Sequence, residues 1–360
     1  LVRSLALAAA SVVVTLVAVE GAFRIHDRIR PGQNAYTTEY SGKYYVDDPD
    51  LGYAVSPGAQ VKARRGSRDT VIYNVTYTIS EKGRRFTKGD PRGETWVFMG
   101  CSRTFGEGVN DDETLPSFYS AELGYSANVV NAGLHGYGPH QMLRILEKDR
   151  LGDLPSPVKH IVYQGLWEHV RRSAGRAVWD LRGPRYEIDG DSVSYAGPHH
   201  GARFIRAIST LRRSAAAEFF LERLYFNFDA SDDDIELYAR IVERTATLTR
   251  EKLGAELTVL FWDEDNETAR RVLARLTRSA IPVVRVSRLL PREEWKALEI
   301  PLDPHPRPEA YRRIAAGLAG HFGVRAASGA DTRINPDNQL YYRDAREGRF
   351  QPPGSVQAGR

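Results

Sequence analysis

From residue 94 onward the chain repeats one rhythm: a short apolar run, a loop, then a longer segment with apolar residues every three or four positions. The apolar runs are Trp96–Met99, Asn128–Asn131, Val158–Tyr163, Leu257–Phe261 and Val283–Val286. They lack strict polar–apolar alternation, as strands buried on both faces do. The segments between and after them predict helices over Thr114–Leu123, His140–Arg150, Asp232–Leu253, Glu264–Arg278 and Pro308–Phe322. The last has a clean helical stripe of Tyr311, Ile314, Ala315, Leu318 and Phe322. Strands alternating with helices predict an α/β fold, a parallel sheet covered by helices on both faces.

The pattern differs elsewhere. "VIYNVTYTIS" (Val71 to Ser80) alternates and is β-branched, which predicts a half-exposed strand inside turn-rich sequence. Residues 24–93 are therefore read as a small β-rich lead-in, and 94–324 as the main domain. Between Arg171 and Asp229 the rhythm breaks into aromatic, glycine- and arginine-rich sequence, read as an insertion or lid over about 172–230. Residues 325–360 are polar without an apolar period and read as an extended or disordered tail.

At the other end, Leu5–Val19 is uncharged and almost wholly apolar, with Arg3 before it and Arg24, Arg28 and Arg30 after it. Extended through Gly21, Ala22 and Phe23 it just reaches the ~17–20 residues of a spanning helix, with Glu20 as an awkward interruption. With no small-x-small cleavage site after Val19, residues 1–23 are expected to be an uncleaved membrane anchor rather than a signal peptide. The bulk is then expected in the periplasm or another extracytoplasmic space, anchored to the membrane, or secreted if the segment is cleaved.

Composition narrows the classes. A net charge of +4 without a run of basic residues and interleaved aromatics argues against nucleic acid. A single cysteine excludes an internal disulfide framework and a cysteine-based zinc cluster. His199 and His200 have no carboxylate or third histidine at ligand spacing, so neither a metal nor an organic cofactor is expected. Oligomeric state is not legible.

Three stretches carry chemistry. "MGCSRTFGEG" places Ser102 just past the first core strand, where a loop residue faces the site of a parallel sheet. The same serine also suits a plain turn or helix cap. "VVNAGLHGYGPHQ" runs from a strand into a glycine-rich loop, where Gly136 offers an unencumbered N–H. "LDPHPRPEAY" sets Asp303 and His305 just before the last helix. A base with an orienting carboxylate is what an inert serine hydroxyl needs to become a nucleophile.

Together these stretches resemble the SGNH hydrolases, the GDSL-type esterases and lipases, over roughly residues 94–324. The resemblance implies a flavodoxin-like three-layer α/β/α fold, here behind a membrane anchor and a β-rich segment. It implies Ser102 as nucleophile, His305 as general base and Asp303 as its orienting partner. The oxyanion would be held by the N–H groups of Ser102 and Gly136. The chain departs from the family in three places. Cys101 stands where Asp is usual and reads as a small buried residue. Asp303 and His305 are closer in sequence than usual, so Glu299 is a second candidate partner. The block that should carry an oxyanion asparagine reads "YQGLWEHVRR", with Trp167 in the asparagine's place and His169 as a possible substitute donor. Arg171 and Arg172 suit an acidic substrate group but read more simply as solvated.

The expected function is a serine esterase acting on acyl esters of an envelope carbohydrate or lipid, with an O-acyltransferase as a variant. The alternative from another class is a catalytically silent envelope protein that binds glycan or scaffolds assembly through Trp179, Tyr186, Tyr195 and Phe204.

Overall fold

The computed structural model describes residues 2–29, 36–226 and 229–324, so the tail read at 325–360 lies outside the described residues. In chain order the lead-in supplies strands β1 (Thr37–Tyr40), β2 (Tyr45–Asp48), β3 (Gly52–Val55), β4 (Gln60–Gly66) and β5 (Val71–Thr78). Next come β6 (Thr95–Gly100), β7 (Asn128–Asn131) and β8 (Val158–Leu166). The inserted region adds β9 (Pro184–Asp189) and β10 (Ser192–Pro198), followed by β11 (Glu256–Trp262) and β12 (Val283–Arg285).

The core is a five-stranded sheet of order β12-β11-β8-β6-β7. Every pairing in it is parallel, with Val97 beside both Val130 and Ile161 and Val259 beside Tyr163. Renumbered within the sheet this is the 2-1-3-4-5 order of doubly wound folds, whose ligands bind where the order reverses, between β6 and β8. Each of the five expected runs is a strand. β8 runs on to Leu166 because Gln164 is buried in the sheet, its side-chain carbonyl accepting from the Thr104 hydroxyl at 2.8 Å.

Helices cover both faces. Leu115–Glu122 and Pro308–His321 bury Phe118, Tyr119, Tyr311 and Ile314 against one side of the sheet. Pro139–Glu147, Asp232–Leu253 and Glu267–Leu276 close the other. The boundaries of Asp232–Leu253 follow from its ends. Ser231 and Asp234 form a capping box, three aspartates occupy the first turn, and Gly254 leaves the helix at φ 61°.

The lead-in is a three-stranded antiparallel sheet, β1-β4-β5, beside the β2–β3 hairpin. In β5 the expected alternation holds: Val71, Tyr73, Val75 and Tyr77 are buried while Asn74 is exposed. The departure is Ile72, also buried. Arg85 locks this unit to the main domain. Its fully buried guanidinium lies 4.5 Å from the centres of the Tyr77 and Phe105 rings. It also donates to the carbonyls of Phe105 and Val109, each at 2.7 Å.

The first helix, Val2–Ile29, does not support the expected anchor: among the described residues no helix is long and apolar enough to cross a membrane. The extension that would supply the length is engaged by protein. Glu20 accepts from the Ser214 hydroxyl and the N–H groups of Ala215 and Ala216, at the start of the helix Ala215–Leu221. The Phe23 ring packs tilted against Phe219, their centres 4.9 Å apart. The uncharged run that remains, Leu5–Val19, falls short of the ~17-residue minimum.

Candidate active site

Gly100 ends β6 at φ 149°, and a Cβ there would lie 2.4 Å from the Thr104 hydroxyl and 2.8 Å from the Gln164 carbonyl. Only glycine lets the chain turn this tightly into the short helix Ser102–Phe105. Cys101 caps that helix and is buried, as a small residue should be. Ser102 occupies the first helical position, where N–H groups have no intrahelical acceptor.

His305 arrives from the loop before the last helix. Its Nε2 is 2.8 Å from Ser102 Oγ, and its Nδ1 is 2.5 Å from Asp303 Oδ1. The short spacing between Asp303 and His305 is accommodated by a tight turn. The same Asp303 oxygen also accepts the backbone N–H of His305 at 3.0 Å. Leu302, at φ 64°, sits in the left-handed region directly before it, a strained position for a branched residue. The other Asp303 oxygen pairs with Arg65 Nε of β4 at 2.9 Å. With Nδ1–H committed to a carboxylate, Nε2 of the neutral imidazole is left to accept the serine proton. Glu299 pairs with Lys296 instead, at 2.6 Å.

A second carboxylate faces the same imidazole. Glu107 Oε2 lies 3.6 Å from His305 Nε2 and 2.7 Å from Nδ1 of His135. His135 Nε2 in turn lies 2.9 Å from the Tyr44 hydroxyl, and Tyr73 donates to Glu107 Oε1 at 3.2 Å. Burial would lower the His305 pKa, but the charges of Glu107 and Asp303 outweigh it and raise it to about 9. Burial pushes the Glu107 carboxyl up, and its histidine neighbours win, holding it well below the ordinary carboxylate range.

Gly136 follows β7 at φ 74°. A Cβ there would meet Trp179 Nε1 at 2.4 Å and the Tyr53 hydroxyl at 2.6 Å. The loop is gripped from both sides, since Trp179 donates to the Gly136 carbonyl at 3.2 Å and Tyr53 to that of His135 at 2.6 Å. Among the described residues, the N–H groups of Ser102 and Gly136 meet no backbone acceptor.

Ser102, Glu107, His135, Gly136 and His305 line one cavity of about 570 Å³ at the reversal of strand order. Loops after β6, β7 and β8 form its floor, and Tyr40, Tyr45 and Tyr53 of the lead-in form a wall. Three expected site residues are thus brought into one hydrogen-bonded chain, with Gly136 beside them. His169 is not among the lining residues. It is fully buried, its Nδ1 2.6 Å from the Tyr163 hydroxyl, and burial holds its pKa well below the ordinary value. Trp167 also turns away, donating to Glu264 at 2.7 Å. Leu166 and Glu168 of this block line the cavity, and so does Arg172. It is buried rather than solvated, and it donates to the Tyr137 carbonyl at 2.8 Å. The inserted aromatics do not form one surface. Trp179 lines the cavity, Tyr186 is buried against Glu147, Tyr195 stacks on Arg144 and Phe204 stacks on His200.

No family model matches the chain. No curated protein matches it either. Solved structures give weak likenesses. One is a G-D-S-L-family lipolytic protein from Desulfitobacterium hafniense, at TM-score 0.38 and 12% identity, covering 63% of this chain and 99% of that one. Another, of the same family, from Veillonella parvula, gives TM-score 0.36 and 14% identity, covering 64% and 99%. An acetylxylan esterase from Geobacillus stearothermophilus gives 0.35 and 14%, covering 66% and 97%.

Proposed function

We propose that the chain is a serine esterase of SGNH type. The observation that carries this reading is the chain Ser102–His305–Asp303, closed at 2.8 and 2.5 Å, with Ser102 and His305 lining a cavity and Asp303 buried behind them. Ser102 Oγ attacks an acyl carbonyl while His305 Nε2 takes its proton. Asp303 holds Nδ1–H and balances the imidazolium, with Arg65 fixing the carboxylate from behind. The N–H groups of Ser102 and Gly136 receive the oxyanion. Arg172 supplies the charged donor on the side where the family's asparagine is missing. As the intermediate collapses, His305 returns its proton to the leaving alkoxide, and the alcohol departs. Water, activated by the same imidazole, then releases the acid; a sugar hydroxyl in its place would make the protein a transferase.

Esters of an envelope carbohydrate or lipid are the proposed substrates, in an extracytoplasmic setting. The aromatic wall of Tyr40, Tyr45, Tyr53 and Trp179 supports this, because flat rings suit sugar faces and short acyl chains alike. One observation favours the silent reading. The Glu107 carboxylate lies 3.6 Å from His305 Nε2 and, with Asp303, raises the His305 pKa to about 9, which disfavours the neutral imidazole that must take the serine's proton. A fluorophosphonate separates the two. The esterase reading expects one adduct per chain by intact mass, absent from Ser102→Ala and faster at pH 9.5 than at pH 7. No adduct at either pH on folded protein would leave the silent reading standing.

A further inference from the structure

A second cluster of histidines and a carboxylate lies outside the site, assembled from three separate elements. His140 opens the helix Pro139–Glu147, Asp180 closes the short turn Val178–Asp180, and His199 follows β10. One ligating atom from each falls within 4.8 Å of the others. His199 reads as an isolated dipeptide in the sequence because both partners arrive from distant segments.

Its hydrogen bonding is incomplete. His140 Nε2 lies 2.8 Å from Asp180 Oδ2, which also accepts from Gln141 at 2.7 Å. Yet His140 Nδ1, Asp180 Oδ1 and His199 Nε2 are all buried without a hydrogen-bond partner. His140 and Asp180 are themselves almost wholly buried, at 0% and 1% exposure. Three polar atoms orphaned together are costly, since each forfeits its hydration without compensation. A glycine backs each of the three residues. A Cβ would come within 2.9 Å of His140 Nδ1 at Gly138, 2.3 Å of Asp180 Oδ1 at Gly183 and 2.8 Å of His199 Nδ1 at Gly175. The backbone is drawn in around these side chains more tightly than any other residue would permit.

We propose that His140, Asp180 and His199 bind a divalent cation of zinc type. Two imidazoles and one carboxylate are a borderline-soft donor set that suits zinc and does not suit the all-oxygen preference of magnesium or calcium. The role of the cation is structural. Asp180 directly follows Trp179, which holds the Gly136 carbonyl, and His140 lies two residues beyond the loop Gly136–Gly138. His199 is tied back to the same turn through its N–H to the Gly183 carbonyl at 2.8 Å. The cation therefore clamps the inserted segment to the loop that carries Gly136. This inference does not depend on the esterase reading.

The test uses the folded full chain, stripped with chelator and titrated with Zn²⁺ and with Co²⁺. One equivalent is expected to bind, with a cobalt ligand-field band and a higher melting temperature. His199→Ala and Asp180→Asn are expected to weaken binding by at least about 100-fold, while His200→Ala, one position away, keeps it. Because His199 is at the edge of the cluster, near-ultraviolet circular dichroism can establish that its variant remains folded. Absence of stoichiometric binding to wild type overturns the proposal, as does unchanged binding in both ligand variants.

Discussion

Two clusters in this molecule are built from the same residue types and behave differently. Around Ser102, His305 and His135 are surrounded by Asp303, Glu107 and Arg65, and every charge has an opposite charge against it. Around Asp180, the two imidazoles face one carboxylate and leave three buried polar atoms unpaired. The first opens on a cavity and the second does not line it. Histidine and carboxylate side by side thus do not define a catalytic site. What distinguishes the first is a serine hydroxyl 2.8 Å from an imidazole, opposite charges set against one another and an adjoining cavity.

Breaking the first cluster has the largest expected effect. Ser102→Ala and His305→Ala should each reduce ester turnover by at least about 10³-fold, and the double variant should be little worse than either, because the two act as a unit. Steady-state hydrolysis of an activated acetate ester measures this. Gly136→Ala is expected next, with a loss of about 10²–10³-fold in kcat. Its Cβ has no room between Trp179 and Tyr53, and a positive φ is unfavourable for alanine. Circular dichroism should find the fold retained.

Sharpening the comparison calls for pH. His305 is raised to about 9, so its neutral, proton-accepting form gains population as pH rises through that value. The kcat/KM profile of wild type should climb to a limb near pH 9. In Glu107→Gln the principal raising charge is gone, and the limb should move to lower pH by about one unit or more, increasing the rate at pH 7 about tenfold or more. Stability runs the other way. A histidine raised in the folded state contributes stability that is complete below its unfolded value of about 6.5 and lost as pH passes through the folded value. Between those two pH values wild type should therefore gain activity while its melting temperature falls. Arg65→Met is the smallest of these effects, about two- to threefold in kcat, since Asp303 keeps its bond to His305 and loses only the charge behind it.

Much of this was legible in the chain and some of it could not be. The five strands and the helix Asp232–Leu253 announce themselves through apolar runs and caps. Ser102, Asp303 and His305 sit in loops whose place after a strand or before a helix is visible locally. Glu107 and His135 lie within the quoted stretches, but their meeting with His305 is a tertiary event with no local signal. Arg65 comes from the lead-in, where a strand arginine reads as solvated. The block after β8 misled for a simpler reason: aligning Gly165 points to Trp167 and His169, whereas one turn of helix brings Arg172 to the cavity. The anchor reading rests on an uncharged apolar run that reaches spanning length only through Phe23, and Glu20 and Phe23 are docked against the inserted segment.

The central claim is that Ser102 is an activated nucleophile whose base is restrained by Glu107. The most direct measurement is the second-order rate of fluorophosphonate labelling from pH 6 to 10, with the modified residue located by peptide mass spectrometry. The account predicts a single adduct on Ser102, a rate that rises through about pH 9, and an earlier rise in Glu107→Gln. Labelling elsewhere, or none on folded protein across the whole range, would contradict it.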